Sequence, residues 1–162
     1  MKKIIGILGG NIMYILKTSH NFEASHHLKG HLEGCRNNHG HSYQVYIEIA
    51  KEDLQTEGPA RGMILDFKDI KKIFKEYIDF YDHSMIIEHY AFGDKPTEHR
   101  VDVKIGDLDI VEQTRVITVP YRPTAENMCK HFFDDLVELG VPVYSIEVYE
   151  TRNNSAKYCP KR

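Results

Sequence analysis

Apolar and polar positions alternate over two long stretches of this chain, and that period sets the first elements. From Tyr14 to Ser25, Ile15, Phe22 and Ala24 are the apolar positions of a first strand, with His26 at its end. His27 to Asn38 is polar and contains glycine, which predicts a loop. Tyr43, Val45, Ile47 and Ile49 alternate with Gln44, Tyr46 and Glu48, the pattern of a half-buried strand. Lys51 to Gly62 is rich in charge, Gly and Pro and reads as a turn region, and Met63-Ile64-Leu65 reads as a short strand. The period then changes. Asp66 is placed to cap a helix from Phe67 to about Ile78, with Phe67, Ile70, Ile73, Phe74 and Tyr77 at helical spacing.

From about 88 to 119 the chain reads as an insertion: two β-branched runs around Gly106-Asp107 predict an exposed hairpin. Pro123-Thr124 opens a second helix, with Thr124 as N-cap, Met128, Phe132 and Leu136 on its core face, and Gly140 as its stop. Val143 to Thr151 and Ala156 to Cys159 read as strands. The order of strands, helix, helix, strands predicts an α+β domain with an antiparallel sheet.

A chain of 162 residues is long enough for one domain with a real core, so 1–162 is read as a single unit. The composition is 41% hydrophobic and 28% charged with net charge −3, which excludes a global nucleic-acid field and a disordered chain. No segment approaches a membrane span. Three cysteines without a secretory signal argue for a reducing, cytoplasmic setting. The start raises a separate hypothesis. Gly9-Gly10 can be encoded as GGAGGN, three codons before Met13, which resembles a ribosome-binding site. Residues 1–12 would then be a non-native extension, and an intact mass of native protein starting at Met1 would exclude this.

Histidine is the outlier, with ten copies, six of them at 20, 26, 27, 31, 39 and 41. Cys35-Arg36-Asn37-Asn38-His39-Gly40-His41 is the densest stretch. Side chains two apart on a strand share a face, so His39 and His41 can converge on one ion. A third, distant histidine would complete the open three-His set of catalytic zinc. Spacing alone leaves His20, His26, His27 and His31 open for that place, and parity with Phe22 and Ala24 favours His26. Cys35 reads either as a fourth ligand or as a thiolate working beside the metal. The plain alternative, histidines without a metal, would be the better reading of an isolated His-x-His.

Asp82-His83 can support proton transfer, although such pairs are more often helix-end decoration. Glu150 shares strand parity with Ile146 and Val148. An acid on an apolar face needs a partner, such as the planar donor edge of an aminopyrimidinone, unless the strand has already ended. Glu126, in the first turn of its helix, is equally explained as a favourable dipole charge.

With these residues in hand, the chain resembles the 6-pyruvoyltetrahydropterin synthase / 6-carboxytetrahydropterin synthase family. The resemblance is carried by Phe22-Glu23-Ala24-Ser25-His26, Cys35-x-x-x-His39-Gly40-His41, Leu65-Asp66-Phe67, Asp82-His83, Pro123-Thr124-Ala125-Glu126-Asn127 and Glu150-Thr151, in family order. It implies zinc held by His26, His39 and His41. It also implies Cys35 as proton-abstracting thiolate with Asp82 and His83 as its partners. Glu150 would anchor the pterin, in a pocket that Glu126 and Thr124 help to line. The implied architecture is the tunnelling fold, with two helices on one face of the sheet. Its subunits form a barrel, typically a homohexamer of two trimers, with sites at subunit interfaces. The implied substrate is 7,8-dihydroneopterin triphosphate, with Arg36 and Lys29 as candidate contacts for its triphosphate.

Two subfamilies compete. The three residues between Cys35 and His39 resemble the carboxy-forming enzymes of queuosine biosynthesis, whereas Glu150-Thr151-Arg152-Asn153-Asn154 is closer to the pyruvoyl-forming ones. The active-site spacing is weighted more, because it places the base relative to zinc. Further alternatives are a non-catalytic pterin- or zinc-binding member of the fold and an unrelated zinc hydrolase. Two departures stand out: His27 where the family commonly has Arg, and Tyr81 where it has Leu.

Overall fold

The computed structural model describes residues 13–105 and 108–161, and the side chains of all of these except 103–105 and 108–112. The proposed extension 1–12 lies outside the described residues. Among the described residues, seven strands and two helices make the fold: β1 (Tyr14–His26), β2 (His39–Lys51), α1 (Phe67–Asp79), β3 (Ser84–Glu88), β4 (Thr97–Ile105), β5 (Leu108–Val119), α2 (Ala125–Glu138), β6 (Val143–Tyr149) and β7 (Ser155–Tyr158). The strands form one sheet in the order β4-β5-β3-β1-β2-β6-β7.

The expected wholly antiparallel sheet is corrected here. β3 pairs parallel to both β1 and β5, so the sheet is mixed. Ser84–Glu88 was not anticipated as a strand. Its five residues follow Asp82-His83 too closely to show a period, and their pairing depends on two elements remote in sequence. Met63-Ile64-Leu65, expected as a strand, is instead irregular backbone that bends at Ile64 and Leu65. Gln55 and Met63 bond to each other's loop through Gln55 N–H to Met63 O (3.0 Å) and Gly62 N–H to Gln55 O (2.8 Å). Gly62 takes a φ of 83° to close that loop.

Both helices cover one face of the sheet. α1 starts where Asp66 accepts a hydrogen bond from Lys68 N–H, and buries Ile70, Phe74 and Ile78. The apolar stripe is therefore shifted from the expected one: Phe67 and Ile73 are exposed. α2 starts where Thr124 Oγ1 accepts from Asn127 N–H, and buries Met128, Phe132 and Leu136. Between helices and sheet, Phe22 stacks on Tyr43 at 4.6 Å between centroids and meets Phe132 edge-on. Burying each such side chain contributes about 1.5–3 kcal/mol. This stack lies next to His26 and His41 and gives their strands a rigid floor.

The opposite face of the sheet is polar. There Glu48 is tied to Lys157 (2.6 Å), Lys17 (3.4 Å) and Ser145 (2.7 Å). Burial works to raise the Glu48 pKa. Hydrogen bonds from Lys157 and Ser145 and the two lysine charges outweigh it, and the carboxyl titrates below its ordinary value. A depressed folded-state pKa adds stability above the unfolded value of about 4.3, and that contribution is lost as pH falls through the folded pKa. Urea midpoints of wild type and Glu48→Gln should therefore differ at pH 7 and converge as pH drops below about 4. A gap of constant size down to pH 3 would refute this role.

Candidate metal centre and adjoining sites

The β1–β2 register builds the centre. His26 lies directly opposite His39, and Ala24 opposite His41. Two positions along each strand keep the same face, so all three rings share the face that carries Phe22 and Tyr43. Their candidate ligand atoms lie within 4.8 Å of one another, and His26 Nε2 is 3.2 Å from His39 Nε2.

Each ring is oriented by a backbone oxygen. His26 Nδ1 donates to Pro123 O at 2.7 Å, and His39 Nδ1 donates to Asn37 O at 2.9 Å. The His41 ring bonds to the backbone of Glu150. A carbonyl can only accept, so the Nδ1 atoms of His26 and His39 carry protons, and in the neutral rings their Nε2 atoms present lone pairs. Two such lone pairs 3.2 Å apart cannot bond to each other. A shared cation resolves their repulsion, and the separation matches two tetrahedral bonds of about 2.0–2.1 Å. Burial, together with the neighbouring rings, lowers the pKa of His26 to about 4, against the Pro123 bond. Burial and His39 likewise lower that of His41, against the Glu150 bond. Neutral imidazole is the form a metal needs, so the residues fit zinc.

Two other histidines of the N-terminal cluster do different work. His20 pairs with Asp79 at 2.7 Å, and His31 Nδ1 accepts from Glu33 N–H. Cys35 sits half-buried in a short 3₁₀ turn, Gly34–Arg36, held by Leu28 N–H to Cys35 O at 2.7 Å. Its sulfur is not part of the convergent donor group.

β6 ends at Tyr149, two residues before the expected Thr151, and Glu150 begins a turn closed by its N–H to Asn154 O. Glu150 is nevertheless half-buried. Burial and the Glu126 charge raise its pKa, and His39 opposes them. Glu150 and Glu126 line one cavity of about 120 Å³ with Ala125, Asn154, Ser155 and Ala156. That is below the 300–1,000 Å³ usual for a small-molecule site.

Asp82 and His83 are tied to Glu23 of β1. Asp82 Oδ1 accepts from Glu23 N–H (2.8 Å), His83 N–H donates to Glu23 O (2.7 Å), and Asp82 Oδ2 meets His83 Nδ1 at 2.8 Å. Burial pushes the Asp82 carboxyl up, but the Glu23 amide and the His83 ring outweigh it and hold it below its ordinary value. The His83 ring is 80% exposed. It borders a cleft of about 600 Å³ with Glu23, Ser25, His41, Ser42, Gln113 and Arg115. Glu23 and Ser42 face away from the helices, by parity with buried Phe22 and Tyr43. Glu23 and Arg115 were not anticipated as site residues. Their positions follow from β1–β3 and β3–β5 pairing, which no local pattern announces.

A model of the family described as 6-pyruvoyl tetrahydropterin synthase matches residues 15–161. The chain belongs to this family. Among curated relatives, a Haemophilus influenzae protein named 6-carboxy-5,6,7,8-tetrahydropterin synthase is 31% identical, with 90% of this chain and 99% of the relative covered. A Synechocystis protein of the same name is 30% identical, over 93% and 96%. Solved structures share the fold. A Wolinella succinogenes protein superposes with TM-score 0.68 at 23% identity, covering 93% of this chain and 99% of its own. The Caenorhabditis elegans 6-pyruvoyl tetrahydropterin synthase has TM-score 0.59 at 20% identity, over 95% and 100%. In this family member the elements joined across the fold are β1, β2 and the β6 end, which meet at the histidine centre. Among the described residues, no helix is long and apolar enough to cross a membrane.

Proposed function

We propose that this protein is a zinc-dependent 6-carboxy-5,6,7,8-tetrahydropterin synthase. It would convert 7,8-dihydroneopterin triphosphate and one water to 6-carboxytetrahydropterin, acetaldehyde and triphosphate, a lyase reaction in queuosine biosynthesis. The observation that carries this reading is the convergence of three imidazoles, each oriented by a backbone oxygen, in a chain of this family. Bound zinc supplies a Lewis acid for the substrate's side-chain hydroxyls. Glu150, with Glu126 and Thr124 nearby, holds the amino-pyrimidinone edge of the pterin through paired hydrogen bonds. Cys35 takes a carbon-bound proton as thiolate, and the Asp82–His83 pair moves protons to and from the substrate oxygens.

Asp82 and His83 are not among the convergent donors, and the Glu150 cavity is too small alone for a bicyclic pterin. Both facts favour a site shared between subunits. We therefore read the assembly as a barrel-forming homohexamer of two trimers, in which an exposed His83 of one subunit meets the centre of its neighbour. The three cysteines are free, which suits a reducing cytoplasm.

Incubation with dihydroneopterin triphosphate, read by mass spectrometry, should yield 6-carboxytetrahydropterin and acetaldehyde. A pyruvoyl product without acetaldehyde would move the protein to the sister activity that its 150–154 stretch resembles. Glu150→Gln should raise KM for the pterin by about 10²-fold, the discrimination expected when a charged pairing in a buried site is lost. Unchanged KM would remove Glu150 from the binding site.

A further inference from the structure

The turn that carries Asp82 and His83 is held in a costly conformation. His83 has a φ of 53°, in the left-handed region that residues with a side chain avoid. Its exposed ring adds little packing to offset that cost, so contacts from outside must hold the backbone. Glu23 supplies two of them, described above. Asp82 N–H to Asp79 O (3.1 Å) and Ser84 Oγ to Tyr81 O (2.7 Å) add two within the turn, and Arg115 of β5 adds two more. Its Nη1 donates to Asp82 O at 2.6 Å, and its Nη2 donates to Phe80 O at 2.7 Å. Phe80 ends α1, where helix carbonyls lack partners and the dipole is negative. Glu98 of β4 steadies the guanidinium at 2.9 Å, and the Arg115 side chain is only 17% exposed. One planar fork thus ties two carbonyls on either side of Tyr81, which an ammonium cannot do.

We infer that Arg115 is a positioning residue for the Asp82–His83 pair: its guanidinium clamps the backbone on both sides of Tyr81 and so aims the His83 ring. This rests on the catalytic role proposed for that pair. It also assigns work to the β4–β5 hairpin, which delivers Arg115 and the Glu98 that steadies it.

The test uses the full-length, zinc-loaded protein with Arg115→Ala, Arg115→Lys and His83→Ala. Arg115→Ala should lower kcat by about 10²-fold, the scale of an ångström-level misplacement. KM and zinc content should stay within about twofold of wild type, the scatter expected where neither binding nor ligation is touched. Added guanidinium ion, below denaturing concentration, should restore part of the loss, and Arg115→Lys should recover little. The histidine ring NMR signal that disappears in His83→Ala should shift in Arg115→Ala, independently of turnover. Wild-type kcat with an unmoved His83 signal would overturn the inference, as would a loss that follows zinc content and is not rescued by guanidinium. If Arg115→Ala does not fold, Glu98→Gln replaces it: several-fold lower kcat at full zinc supports the clamp, and unchanged kcat overturns it. Full turnover in His83→Ala would sink the pair's role itself. An inactive His83→Ala beside a fully active Arg115→Ala would sink only the positioning.

Discussion

Replacing His39 with alanine is expected to leave the protein folded, empty of zinc and without turnover. His39 is half-exposed at the first residue of β2, so its ring adds little to the core, and the Phe22–Tyr43 stack survives its loss. As a donor it is hard to replace. Its Nε2 sits 3.2 Å from that of His26, and Asn37 O holds its tautomer. Loss of an outer partner of a metal ligand typically costs 10–100-fold, so loss of a ligand should exceed about 10³-fold in turnover. Elemental analysis, circular dichroism and product formation on the same sample check this. A zinc-free His39→Ala protein with wild-type turnover would refute the metal centre. Cys35→Ala is the companion. Its sulfur lies outside the donor group, so the variant should keep zinc and lose turnover. Joint loss of zinc would make Cys35 a ligand instead.

Mixing Cys35→Ala with His83→Ala subunits should restore activity that neither variant has alone. If each site joins one subunit's centre to its neighbour's Asp82–His83 pair, random exchange in a cyclic assembly gives about one intact site in four. Turnover near a quarter of wild type is therefore expected after partial denaturation and joint refolding. The exposure of the His83 ring, and its place outside the convergent donor group, motivate this. Mixtures that stay inactive, although mass spectrometry shows mixed oligomers, would place the whole site within one chain.

Much of the three-histidine cluster was legible because it is local. His39-Gly40-His41 needs only the two-residue period of a strand, and the parity of Phe22 and Ala24 picks His26 from four candidates. The helix caps at Asp66 and Thr124 were legible for the same reason, since a cap is a bond between residues two or three apart. β3 was not legible. Five residues show no period, and parallel pairing joins segments separated by whole elements. The end of β6 before Glu150 was also hidden, because the bond that closes the turn comes from Asn154. Arg115 was hidden most completely: a lone arginine in a β-branched run looks like any solvated cation.

By itself, then, the sequence determined the α+β class, the chemistry of the donor set and the family to which the chain belongs, since short-range periods and residue types suffice for these. Only the tertiary structure decided the mixed sheet, the backbone oxygens that fix each imidazole, the Glu23 contacts that place Asp82–His83 and the clamp on its turn. Each of these depends on register between strands far apart in the chain, and register is chosen by the packing of the whole core.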